Sequence, residues 1–137
     1  MTCYVLDACA LVAALYGEKG ATVVRSVFDE ADRGMAKVVM HKANLLEVYY
    51  DLLRSLGKDK ADQIMNEIKK RPIEINAEIS DEIFIEAGCL KASYKISFAD
   101  SFALAQAKVS GGALLTSDHH EFDAIEGLED INFAWIR

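Results

Sequence analysis

Four acidic residues stand where a carboxylate is an odd choice. Asp7 ends the apolar run Tyr4-Val5-Leu6, and Glu47 interrupts the apolar stretch from Ala43 to Tyr50. Asp100 sits inside Phe98-Ala99-Asp100-Ser101-Phe102-Ala103-Leu104, and Asp118 closes Ala113-Leu114-Leu115-Thr116-Ser117. A carboxylate beside a buried segment costs desolvation free energy unless it is paired or binds a cation. Gathered in one place, these four make an all-oxygen pocket suited to Mg²⁺ or Mn²⁺. Each also has a plainer explanation. Asp7 and Asp118 precede helical stretches and fit helix N-caps. Ser97-Phe98-Ala99-Asp100 fits a Ser-x-x-acid capping box. Glu47 falls on a polar helix face and can point to solvent. Four unrelated devices of this kind are a poorer explanation than one shared site.

The elements that must position these acids follow from periodicity. Short β-branched and aromatic runs predict strands at 2–6, 37–41, 73–75, 113–116 and 131–136. Helices are predicted over 7–16, 19–33, 43–56, 58–70, 80–94 and 97–109, with a short acidic helical piece at 119–126. Gly17, Gly34, Gly57, Pro72 and Gly111-Gly112 punctuate them, and Ser80 is a fitting N-cap. In the helix over 43–56, Leu45, Val48, Leu52 and Leu56 share one face, while Asn44, Glu47, Asp51 and Arg54 share another. Strands alternating with helices indicate a parallel α/β sheet. Ligands bind such sheets at the carboxyl ends of the strands, the edge where Asp7 and Asp118 fall.

The chain has 137 residues, enough for one domain over residues 1–137, with 52% hydrophobic and 27% charged residues. The first residues lack a basic leader and a cleavage site, and no apolar run approaches the ~18 residues of a membrane span. Cys3, Cys9 and Cys89 are odd in number and lack CxxC spacing, which points to a reduced, cytoplasmic setting, with Cys3 and Cys89 as small apolar fillers. The net charge of −7 is no nucleic-acid footprint by itself. Cations in an acidic cleft reverse that field locally, and an acidic surface suits a basic protein partner.

With these residues laid out, the chain resembles the PIN-domain ribonucleases. Val5-Leu6-Asp7-Ala8-Cys9-Ala10-Leu11 is similar to that family's opening strand and first catalytic Asp. Leu46-Glu47-Val48 is similar to its single Glu on the third helix. The stretch from Phe98 to Ala105 carries its third acid, and Leu114-Leu115-Thr116-Ser117-Asp118, before Phe122, is similar to its Thr-x-Asp segment. The ordered set spans nearly the whole chain, and a bare PIN domain of this length resembles the VapC toxin of VapBC toxin–antitoxin pairs. One departure is that Ala8 and Cys9 stand where the family usually has Ser, Thr or Asn after the first Asp.

The resemblance implies a three-layer α/β/α domain with a central, mainly parallel sheet of roughly five strands. It implies a metal-dependent endoribonuclease with Asp7, Glu47, Asp100 and Asp118 as catalytic residues. Asp7 and Asp100 would be the principal metal ligands, with Asp118 completing the site. Glu47 would orient or deprotonate water, and Thr116 would fix Asp118. It further implies an RNA substrate, a VapB-like antitoxin partner and a homodimer, with no membrane association. Two alternatives stand beside it. One is a catalytically inactive PIN scaffold binding RNA or a protein. The other is a phosphoryl-transfer domain with an Asp nucleophile, disfavoured because Cys9 occupies the place of a second Asp and no Gly-rich phosphate loop is present. Lys42, Asn44 and Arg54 lie near the Glu47 helix and are candidates for phosphate contact, with solvated surface as the plainer role. His119 and His120 read as loop residues beside the site.

Overall fold

The computed structural model describes residues 1–137. In chain order the elements are β1 (Thr2–Leu6), α1 (Ala8–Tyr16), α2 (Ala21–Asp32), β2 (Ala36–His41), α3 (Lys42–Leu56) and α4 (Lys58–Lys69). Then come β3 (Glu74–Asn76), α5 (Asp81–Ser93), α6 (Phe98–Ser110), β4 (Ala113–Thr116), α7 (His119–Phe122) and β5 (Asn132–Trp135). The predicted elements are all present, with ends shifted by a few residues. The acidic piece after Asp118 is one helical turn rather than a helix to residue 126.

The five strands form one sheet in the order β3-β2-β1-β4-β5, and every neighbouring pair is parallel. Parallel neighbours need long crossovers, and the helices supply them. Strand side chains alternate between the two faces. Leu6, Met40 and Leu115 join a core packed by α1, α2, α3 and α4. Val5 and Leu114 join a second core with α5 and α6 residues such as Ile83, Leu90 and Leu104. The result is three layers, α/β/α, with the sheet buried on both faces as all-parallel sheets require.

The strand order reverses direction at β1. The chain first builds outward through β2 and β3, then returns to the other side of β1 as β4 and β5. The crevice at the carboxyl ends of β1 and β4 is therefore the topological switch point, where open α/β sheets bind ligands. Asp7 immediately follows β1, and Asp118 lies two residues beyond β4.

Beyond the end of β5, Ile136 N–H donates to the Thr116 carbonyl at 3.0 Å and draws the last residues alongside the end of β4. Gly20 permits this. Its φ is +98°, and a Cβ there would lie 2.8 Å from Ile136. No helix is long and apolar enough to cross a membrane. Cys3 is half-buried, but Cys89 is exposed on α5 and is not the core filler expected of it.

Candidate active site at the switch point

Asp7 is 2% exposed. It is the N-cap of α1, and its Oδ1 accepts from Ala10 N–H at 2.8 Å. Asp118 does the same for α7, with Oδ1 accepting from Glu121 N–H at 3.1 Å. Asp100 belongs to the capping box of α6, where its N–H donates to the Ser97 hydroxyl at 3.0 Å. The capping explanation is therefore true of three acids, and it coexists with the clustering. Each cap sets its carboxylate at a helix N-terminus, where the positive end of the dipole favours negative charge.

The four acids feel one another's charge. The Asp7 carboxyl is pushed up to about 7, chiefly by burial and further by the charges of Asp100 and Asp118; the Thr116 hydroxyl and Ala10 N–H oppose this. Asp100 is pushed up to about 6 by burial, against the Ser97 hydroxyl, with Asp118 and Glu121 adding repulsion. Glu47, half-buried on α3, is raised by burial and then by Asp100, Asp51 and Asp118. Cys9 is the most direct witness. Its thiol, open to solvent on one side, is pushed up to about 12 by the protein packed around it and then by Asp7, Asp118, Asp100 and Glu47.

No three side chains of the cluster form a ready ligand group. Its donor set nonetheless fits a hard divalent cation. Asp7 and Asp118 each commit one oxygen to a cap, and the only sulfur nearby is held as a neutral thiol, a poor ligand for soft metals. Thr116, fully buried at the end of β4, accepts from Asp118 N–H at 3.0 Å and lies beside the Asp7 carboxyl. It ties the two acids across the switch point.

Several residues near the site differ from the sequence expectation. Asn44 does not face solvent with Glu47. It is 1% exposed, and its Nδ2 donates to the Ala99 carbonyl at 2.9 Å, linking the Glu47 helix to the first turn of α6. Its Oδ1 is buried without a partner, so Asn44 is spent on packing rather than on phosphate. His119 is not a free loop residue. It stacks on Trp135 at 3.8 Å, and its nitrogens face Asp123 Oδ1 and the Arg137 carbonyl, each at 2.8 Å. Those two acceptors hold its imidazole above the ordinary pKa, the Arg137 carbonyl contributing most. Asp51 and Glu121, outside the expected site, deepen the negative field, Asp51 at Glu47 and Glu121 at Asp100. Their spacing carried the signal, since Asp51 is one turn beyond Glu47 and Glu121 is three residues beyond Asp118.

A family profile described as PIN domain matches residues 4–128. The chain belongs to the PIN-domain family. Solved structures share the fold at low identity. A chain of VapBC2 from Rickettsia felis, crystallised with a DNA fragment from its promoter, is 14% identical with a TM-score of 0.74, covering 98% of each chain. DNA-bound VapBC from Salmonella typhimurium gives 15% identity and a TM-score of 0.76 over 100% of each chain. VapC20 from Mycobacterium tuberculosis, described as a Sarcin-Ricin loop cleaving toxin, gives 15% and 0.63 over 94% of this chain and 98% of that one. No curated protein sequence matches this PIN domain.

A stability prediction follows from the burial of Asp7. Its folded-state value lies above the unfolded 3.8, so its contribution is fully present below about pH 4 and is lost as pH rises to about 7. Asn at this position keeps the cap and carries no charge. In EDTA, Asp7→Asn should match the wild type near pH 4. It should then become the more stable protein, by several kcal/mol near pH 7, at about 1.4 kcal/mol per pH unit. Urea unfolding at a series of pH values measures this. A pH-independent difference would mean that Asp7 does not bury its charge.

Proposed function

We propose that this PIN domain is a metal-dependent endoribonuclease and the toxin of a type II toxin–antitoxin pair. The observation that carries the reading is that Asp7, Glu47, Asp100 and Asp118 feel one another's charge near the β1/β4 switch point. Family membership supports it, as does the fold shared with VapC20, described as cleaving the Sarcin-Ricin loop, and with VapBC complexes.

Asp7 and Asp100 are the principal metal ligands in this reading, and Asp118, oriented by Thr116, completes the set. A divalent Mg²⁺ or Mn²⁺ ion, when bound, lowers the pKa of water and stabilises negative charge on the phosphoryl and leaving oxygens. Glu47 takes the proton of the attacking water. Its half-buried carboxyl and raised pKa bring it closer to neutrality, where a general base is most effective. Cys9 contributes bulk and a neutral S–H, since its thiol does not ionise at physiological pH.

The partners follow from the same reading. A VapB-like antitoxin is the protein partner, and a basic segment of it complements the acidic crevice. A second copy of this chain is proposed to pack on α5. Phe84 is 70% exposed there, while Gly88 and Ala92, one and two turns on, leave a hollow. An antiparallel α5 pair about a twofold near Gly88 seats each Phe84 against Ala92 of the other copy. It also brings the acidic start, Asp81 and Glu82, opposite Lys91 in the last turn.

Two outcomes are expected. Asp100→Asn and Glu47→Gln should each lower Mn²⁺-dependent cleavage of single-stranded RNA by roughly 100-fold or more, with an unchanged circular dichroism spectrum. Wild-type protein that binds RNA but leaves it intact would point instead to an inactive scaffold. Phe84→Glu should convert a dimer to a monomer in sedimentation equilibrium. A wild type that is monomeric at micromolar concentration would remove the α5 interface.

A further inference from the structure

Beside the acid crevice lies a cavity of about 220 Å³ between the start of α1, α3 and the segment after β4. Glu18, Glu47 and Asp51 line it together with Cys9 and Ser117, and Arg137 is the one cation on its wall. The Arg137 guanidinium takes part in none of the salt bridges or side-chain hydrogen bonds of the molecule, although three carboxylates share its cavity.

The backbone that carries Arg137 is pinned from several sides. His119 Nε2 bonds the Arg137 carbonyl at 2.8 Å, with the His119 ring held between the Trp135 face and Asp123. Trp135 Nε1–H donates to Glu126 Oε2 at 2.9 Å. Ile136 is buried against Gly20 and bonded to Thr116. Five contacts thus fix the backbone of one surface arginine on the wall of an acidic cavity, and its guanidinium stays unengaged.

We propose that Arg137 is the phosphate-binding residue of the cleft, taking a backbone phosphodiester of the RNA. The proposal rests on the nuclease reading above. A guanidinium offers five donors in a planar fork that matches phosphate oxygens two at a time, and it keeps its charge at any working pH. In a chain of net charge −7, RNA approaching the carboxylates needs a fixed cation beside them. Arg137 supplies it on the wall of the cavity that Glu47, the proposed base, also lines. His119 is a positioning residue that acts through the Arg137 backbone.

The test uses a fluorescein-labelled single-stranded RNA, with the full chain in Mn²⁺. Arg137→Gln should raise KM about tenfold while kcat changes less than about threefold. The slope of log affinity against log salt should fall by about 0.7, the loss of one phosphate contact on a single strand. Arg137→Lys should recover part of the affinity. His119→Phe, which keeps the ring on Trp135 but drops the carbonyl bond, should fall between wild type and Arg137→Gln. An unchanged KM and salt slope in a folded Arg137→Gln protein would overturn the proposal, as would a loss confined to kcat. Anisotropy with Asp100→Asn and Asp100→Asn/Arg137→Gln reads binding without turnover. If wild type cleaves no RNA, the nuclease reading fails, and equal binding by these two proteins then rejects Arg137 as well.

Discussion

The structure turns on the burial of one carboxylate, Asp7, within reach of the charges of Asp100 and Asp118. Desolvation alone makes its charged form unfavourable, and Asp100 and Asp118 add repulsion. Nothing in a folding chain gains from that arrangement by itself. It persists because the flanking structure is over-determined. Leu6 and Val5 lock β1 into opposite cores, Leu115 and Leu114 lock β4 beside it, and the two strand ends cannot separate. Helix N-termini and the Thr116 hydroxyl then lower part of the electrostatic cost at the acids themselves. Strain of this kind is expected at functional sites, where local stability is given up for pre-organised chemistry.

The sheet order explains why residues so distant in sequence meet. Only a reversal of strand order opens a crevice between neighbouring parallel strands, and here it falls between β1 and β4. Glu47 reaches the crevice from α3 on one face, and Asp100 from α6 on the other. The Asn44 amide on the Ala99 carbonyl joins those two helices across the sheet edge. Each layer therefore contributes an acid, and the site exists only in the assembled fold.

Much of this was legible in the residues. Apolar runs stopped by a carboxylate marked the ends of β1 and β4, and glycine and proline placed the helix boundaries well. The caps and the cluster looked like rival explanations in the sequence, yet the structure makes them one device. Other features were hidden. Asn44 shares the helical spacing of Glu47, so periodicity assigned it to solvent, but α6 covers that part of α3. The His119 clamp joins α7 to the end of β5, a long-range contact with no local signal. Cys89 sits among apolar neighbours and still faces outward, because α5 carries apolar residues around much of its circumference. Arg137 carries no local signal either, since only the segment after β5 brings it to the cavity lined by Glu47.

The central claim is that the four acids form one divalent-metal site. Thermal unfolding of the wild type and Asp100→Asn, each in EDTA and in millimolar Mn²⁺, tests it most directly. A cation that binds only the native state raises stability by RT ln(1 + [L]/Kd). The account predicts that Mn²⁺ raises the wild-type midpoint by several degrees and leaves that of Asp100→Asn nearly unmoved. Equal responses of the two proteins, or none in either, would contradict it.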